Sequence, residues 1–275
     1  MATLKAVDQP SHTFLNLASN DPENKQRLIY GQGTTKQQWL DWKGLSELKP
    51  FEIETHFPKH SRVLILAPHP DDEILGCGGL LQKLSKLQRN IVLIAVINGT
   101  KSHPDSTLYT EDHLNQIRPA ESKAALEVLD IQNIQRIALN LQDGAIAISH
   151  AQFYAKLEQL LEPNDILVTT YEKDGHPDHE HSAYVVSQIC KKYQLKYYQV
   201  LIWAWHWAAP NNAQIAWEQA YRLDLDSIEL ELKHRAIQCF KSQLDIDSST
   251  GQAPILSSEV VDRILMPYEV YMHGQ

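Results

Sequence analysis

From Arg62 onward the chain alternates between short apolar runs and longer segments with helical spacing. RVLILA (62–67) and IVLIAV (91–96) are continuous apolar runs, the pattern of strands buried on both faces. Between them, Ile74–Leu87 spaces its apolar residues three and four apart, which predicts a helix. Further helices are expected near His113–Leu129, Ser149–Leu161 and His179–Tyr193, with Ser149 and Asp165 where caps and turns belong. Strands are expected near Arg136–Leu139, Asp165–Thr169 and Tyr198–Trp205. Regular alternation of strand and helix predicts a three-layer α/β/α Rossmann-like sandwich with a mostly parallel sheet. The last third is less regular: Tyr221–Leu225 alternates like an antiparallel strand, and Ser227–Phe240 is an amphipathic helix. Residues 1–60 are polar and weakly periodic. They read as an extension packed on a core domain of residues 61–275, with a short helix near Gln37–Leu45 and Trp39 and Trp42 as anchors.

Composition narrows the partners. The formal charge of −9 argues against a polyanion-binding surface and so against nucleic acid. No stretch approaches the ~20 apolar residues of a membrane span. Residues 1–20 lack an uninterrupted apolar core, so no signal peptide is visible. Cys77, Cys190 and Cys239 are widely spaced in apolar segments and form neither a disulfide framework nor a paired metal motif. The expectation is reduced thiols, a cytoplasmic protein and a small-molecule partner, with oligomerisation left open.

The chemistry concentrates in two turns. Directly after the first buried strand comes Pro68-His69-Pro70-Asp71-Asp72-Glu73, where open α/β sheets place their ligands. Three adjacent acids repel one another, and a helix N-terminus accounts for Glu73 and one aspartate but not for His69. A metal ion resolves the conflict. The second cluster, Asp174-Gly175-His176-Pro177-Asp178-His179-Glu180-His181, follows a later strand. Catalytic zinc uses three protein ligands and keeps a position for water. His69, one of Asp71/Asp72 and one of His176/His179 supply that count, with groups left for a general base and an oxyanion stabiliser.

PHPDDE followed by HPDH resembles the PIG-L (LmbE-like) family of zinc-dependent N-deacetylases. The resemblance extends from Arg62 to the carboxyl terminus. It includes Gly76-Cys77-Gly78-Gly79, Arg118-Pro119-Ala120-Glu121, Asp143-Gly144, Lys241-Ser242-Gln243 and Pro267-Tyr268-Glu269. It implies His69, Asp72 and His179 as zinc ligands and Asp71 as the general base. It also implies that His176 stabilises the tetrahedral intermediate or protonates the leaving amine, with Asp178 orienting it. Arg118 is implied near the substrate's polar groups; the plain alternative is a helix-surface ion pair with Glu121. The expected activity is removal of an N-acetyl group from an amino-sugar-containing small molecule. The loop Asn98–Ser106 departs from the acidic run of many relatives, so substrate identity is least determined there.

In LIWAWHWAAP, strand alternation would put Trp203, Trp205 and Trp207 on one face. Trp205 and His206 are the candidates for substrate contact, with core packing as the alternative. Two other functions compete: a zinc amidase for a larger acyl group, and a non-catalytic nucleotide-binding domain built on Gly76–Gly79. The second lacks the GxGxxG spacing and follows three acids that would repel phosphate.

Overall fold

The computed structural model describes residues 27–131 and 134–274; the amino-terminal stretch in which no signal peptide was visible lies outside them. The chain opens with α1 (Lys36–Asp41), α2 (Lys43–Ser46), β1 (Lys49–Pro50) and α3 (Ile53–His56). The α/β repeat follows as β2 (Arg62–Ala67), α4 (Asp72–Lys86), β3 (Asn90–Ala95), α5 (Glu111–Val128), β4 (Gln135–Ala138) and α6 (His150–Glu158). It continues through β5 (Ile166–Thr170), α7 (Pro177–Tyr193), β6 (Lys196–Val200) and α8 (Ala204–Trp207). The last third adds β7 (Ala220–Asp224), α9 (Ser227–Ile237), α10 (Lys241–Leu244), α11 (Ser258–Ile264) and β8 (Tyr268–His273).

Among the described residues these strands form one sheet in the order β1-β7-β8-β6-β5-β2-β3-β4. Strands β2 to β6 are mutually parallel, and β8 runs antiparallel between β6 and β7. The chain leaves β2 for β3 and β4 on one side, then returns to β5 on the other. Strand order therefore reverses between β2 and β5, the place where open α/β sheets form a ligand crevice. Both histidine clusters sit at the carboxyl ends of these two strands.

The pleat sends side chains of β2 to opposite layers. Val63, Ile65 and Ala67 join one core with α4, and Leu64 and Leu66 join the other with α7. Trp39, Leu45, Phe51, Ile53 and Phe57, all before Arg62, are buried in the first of these cores, and β1 pairs with β7. The expected strand through Tyr198–Trp205 stops at Val200, and residues 204–207 turn into a helix. The cause is Asp174, which is fully buried. Its Oδ1 accepts from the amides of Ile202 (3.0 Å) and Ala204 (2.9 Å), and its Oδ2 from Trp203 (3.0 Å). Amides gathered around one carboxylate cannot continue a ladder. Cys77, Cys190 and Cys239 are all unpaired thiols.

Candidate metal centre and its cleft

Asp71 makes the turn between β2 and α4. Its φ of 150° lies where residues with a Cβ are strained, and its carboxylate lines the cleft. Strain of this kind persists only when the surroundings impose it. Here Glu73 accepts from the Asp71 amide (3.1 Å) and from the Ser122 hydroxyl. Arg118 binds Asp71 Oδ2 and the Pro70 carbonyl, each at 3.0 Å, through one nitrogen. Its other terminal nitrogen donates to the Gly99 carbonyl at 3.1 Å. Gly99 has φ +64°, and a Cβ there would overlap Arg118 Nη1. Arg118 makes no ion pair with Glu121, which instead accepts from the amide and hydroxyl of Ser242.

Next to Asp71, three donor atoms form a nearly equilateral triangle. His69 Nδ1 lies 3.2 Å from Asp72 Oδ2 and 3.3 Å from His179 Nε2, and the last two are 3.2 Å apart. A tetrahedral cation bonded at about 2.0 Å holds its ligand atoms about 3.3 Å from one another, so this triangle has the size such an ion requires. Two looser sets, His69 with His176 and His179 and His69 with Asp143 and Asp178, bring donors within 4.8 Å. The remaining nitrogen of each triangle histidine faces a carboxylate. His69 Nε2 is 3.2 Å from Asp178 Oδ2, and His179 Nδ1 is 2.7 Å from Asp174 Oδ2. Such partners fix which nitrogen of a ligand histidine is bare and raise its basicity.

Charges follow from this wiring. Burial works against a charged His69, but Asp178 and Asp72 outweigh it and push it up to about 10. Burial likewise opposes a charged His179, which Asp72 and Asp174 push up to about 9. Burial disfavours an ionised Asp72 as well, yet His179 and His69 hold its carboxyl well below the usual range. The protons on these histidines are the ones a cation displaces on binding. Burial pushes Asp71 up to about 7, against the pull of Arg118 and with the help of Asp72. His176, buried between His69 and His179, is held well below the ordinary imidazole value and is neutral. Its Nδ1 accepts from the Asp178 amide at 3.1 Å, so its proton sits on Nε2.

Asp178 is the residue implied to orient His176, and it meets that ring through its main chain: residue 178 lies in the first turn of α7, where its amide has no partner within the helix, and its carboxylate faces His69. The cleft has a volume of about 110 Å³ and contains His69, Asp71, Asp72, Arg118, His176, Asp178 and His179. Trp203, Leu75 and Leu256 give it an apolar wall, and Gln243 and Asp143 add polar groups. Trp205 and His206 do not line it. Trp205 is buried edge-on to Trp39 at 5.0 Å, and His206 accepts from Arg263 at 2.8 Å and pairs with the Tyr30 carbonyl at 3.1 Å. The helical turn around Asp174 rotates the three indoles apart, so only Trp203 reaches the cleft. Asp174 itself went unassigned in the sequence, although an acid directly before Gly-His-Pro was a visible signal.

Residues 64–190 match the family model PIG-L, described as GlcNAc-PI de-N-acetylase. This stretch, a little under half of the chain, resembles the PIG-L (LmbE-like) family. The diacetylchitobiose deacetylase of Thermococcus kodakarensis is 26% identical over 139 residues, covering 49% of this chain. The match spans 51% of that relative, about half its length. Among solved structures, the N,N'-diacetylchitobiose deacetylase of Pyrococcus horikoshii superposes with a TM-score of 0.56 at 22% identity, over 78% of this chain and 82% of that one. A 4-carboxy-2-hydroxymuconate hydratase of Pseudomonas putida superposes at 0.52 with 14% identity, over 78% and 96%. The same fold is thus shared by a deacetylase and a hydratase, and activity must be argued from the site.

Proposed function

We propose that this chain is a zinc-dependent N-deacetylase that hydrolyses the acetamide of an N-acetylated amino sugar or sugar conjugate. The observation that carries the reading is the triangle of His69 Nδ1, Asp72 Oδ2 and His179 Nε2, with edges of 3.2–3.3 Å and a carboxylate behind each histidine. Two imidazoles and one carboxylate are a hydrolytic zinc donor set, and these three residues, which line the cleft, would hold the ion at its wall. Zinc so bound supplies Lewis acidity and lowers the pKa of a bound water toward ~7.

The remaining steps belong to the protein. Asp71, held by Arg118, accepts the proton of the attacking water as its oxygen bonds to the acetamide carbon. The Nε2–H of His176 donates to the oxygen of that carbon as negative charge develops on it. When the C–N bond breaks, Asp71 returns the proton to the leaving amine, so the products are acetate and the amine. The small cleft and its apolar wall suit a short acyl group. The sugar is supported by the similarity to a diacetylchitobiose deacetylase. We read residues 61–275 as the catalytic domain with residues 1–60 as its extension. We place the protein in the cytoplasm, where its free thiols stay reduced.

The test is release of a carboxylic acid from N-acylated sugars by zinc-loaded protein. Acetate should appear from an N-acetylated amino sugar or oligosaccharide, and chelation should stop it. Release of a longer acid with N-acetyl substrates untouched would favour the broader amidase. No acid released from any acylated amine would point to other chemistry on the same fold.

A further inference from the structure

Helix α5 carries two braces one turn apart. Arg118 holds Asp71, as described above. Three residues on, Glu121 takes both donors of Ser242: the amide at 2.7 Å on Oε1 and the hydroxyl at 2.7 Å on Oε2. A serine hydroxyl has one proton, and an ionised carboxylate can only accept it. The Ser242 oxygen is therefore left as an acceptor, and it receives Gln243 Nε2 at 2.9 Å. This bookkeeping fixes an orientation that electron density alone often leaves open for a carboxamide. The nitrogen of Gln243 must face Ser242, so its oxygen faces elsewhere.

Gln243 is 1% exposed and lines the cleft. No hydrogen bond among the described residues engages its Oε1. Its main chain is also pinned, by Gln243 N to the Phe240 carbonyl and by Leu256 N to the Gln243 carbonyl, each at 2.9 Å. Three residues thus fix the direction of one acceptor on a buried side chain beside the metal centre, and none of the three is among its ligands. A fixed acceptor on a cleft-lining side chain, with no protein donor upon it among the described residues, is suited to a donor on the ligand.

We propose that Gln243 Oε1 positions the substrate by accepting a hydrogen bond from a donor beside the scissile carbonyl. This rests on the deacetylase reading. Two groups on such a substrate carry the required chemistry: the N–H of the acetamide itself and a hydroxyl on the neighbouring carbon. Glu121 and Ser242 act through Gln243 as positioning residues.

The experiment compares kcat/KM of the zinc-loaded wild-type protein and Gln243→Met on three substrates. These are an N-acetylated amino sugar, its N-methyl amide, and its analogue lacking the neighbouring hydroxyl. Methionine keeps the length of the side chain and removes the acceptor. We expect Gln243→Met, with wild-type zinc content and melting temperature, to lose roughly 10–10²-fold on the parent. Wild type should lose a similar factor on one analogue, and Gln243→Met should no longer distinguish that analogue from the parent. Loss with the N-methyl amide assigns the donor to the acetamide nitrogen; loss with the deoxy analogue assigns it to the hydroxyl. A variant within a few-fold of wild type on the parent overturns the role of Gln243. So does equal discrimination among the three substrates by both proteins. If the variant does not fold, the wild-type arm decides alone, since full activity on both analogues contradicts the proposal. Wild-type protein inert toward every acetamide would instead overturn the deacetylase reading, and this inference with it.

Discussion

The His69 turn and the His176 turn occupy equivalent places, at the ends of the neighbouring parallel strands β2 and β5, yet they are wired in opposite senses. In the first, the carboxylates face the centre: Asp72 joins the donor triangle and Asp71 lines the cleft beside it. In the second, the carboxylates face the histidines. Asp174 stands behind His179, and Asp178 reaches across to stand behind His69. On the proposed mechanism, one turn supplies charge to the reaction, and the other supplies orientation, including to its opposite number. Substitutions in the first should therefore remove chemistry, whereas carboxylate substitutions in the second should loosen geometry.

The sharpest way to break this contrast is Asp71→Asn. It keeps shape but cannot take a proton, so single-turnover acetamide cleavage should fall by about 10²–10⁴-fold with zinc and substrate binding retained. A rate within a few-fold of wild type would move the proton to another residue, His176 first. His176→Ala should lower turnover by about 10²–10³-fold with zinc in place, the loss typical of one oxyanion donor. Normal turnover would make His176 a turn residue only. Asp174→Asn tests the second turn as a brace: zinc should bind about 10–100-fold more weakly, read by competition with a chelator. Unchanged affinity would mean the Asp174 carboxylate serves only the amides of residues 202–204. The smallest effect is expected for Gly99→Ala, which forces an alanine into φ +64° against Arg118. A stability loss of about 1–2 kcal/mol should appear in denaturant melts, with turnover falling because Arg118 releases Asp71. Full stability would show that the loop yields.

How much of this was legible depended on whether a feature is local. The two turns are local: His-Pro with crowded acids at the end of an apolar run announces a site, and β2 begins and ends as its apolar run predicts. The contacts that wire the turns together are not. Asp178 lies 109 residues from His69, and nothing in the spacing says that its backbone rather than its side chain would meet His176. The Trp203–Trp207 segment was misread because its strand-like alternation is overridden by Asp174, a buried acid 28 to 30 residues earlier that gathers its amides. Strand β8 was missed for a related reason. Tyr268–His273 is mixed in polarity, and Glu269 within it is buried because it accepts from Lys233, the Tyr271 hydroxyl and the amides of Gly79 and Leu80. Gln243 was visible as a motif, but its direction depends on Glu121, in another element altogether.

The central claim is that His69, Asp72 and His179 hold a single zinc. The most direct measurement is the metal content of purified wild-type and His179→Ala proteins, with zinc-edge X-ray absorption on the former. The account predicts one zinc per wild-type chain, bound by imidazole nitrogen and oxygen at about 2.0–2.2 Å with no sulfur neighbour, and loss of that zinc together with activity in His179→Ala. A His179→Ala protein that keeps one zinc per chain, or a wild-type spectrum showing thiolate sulfur, would contradict it.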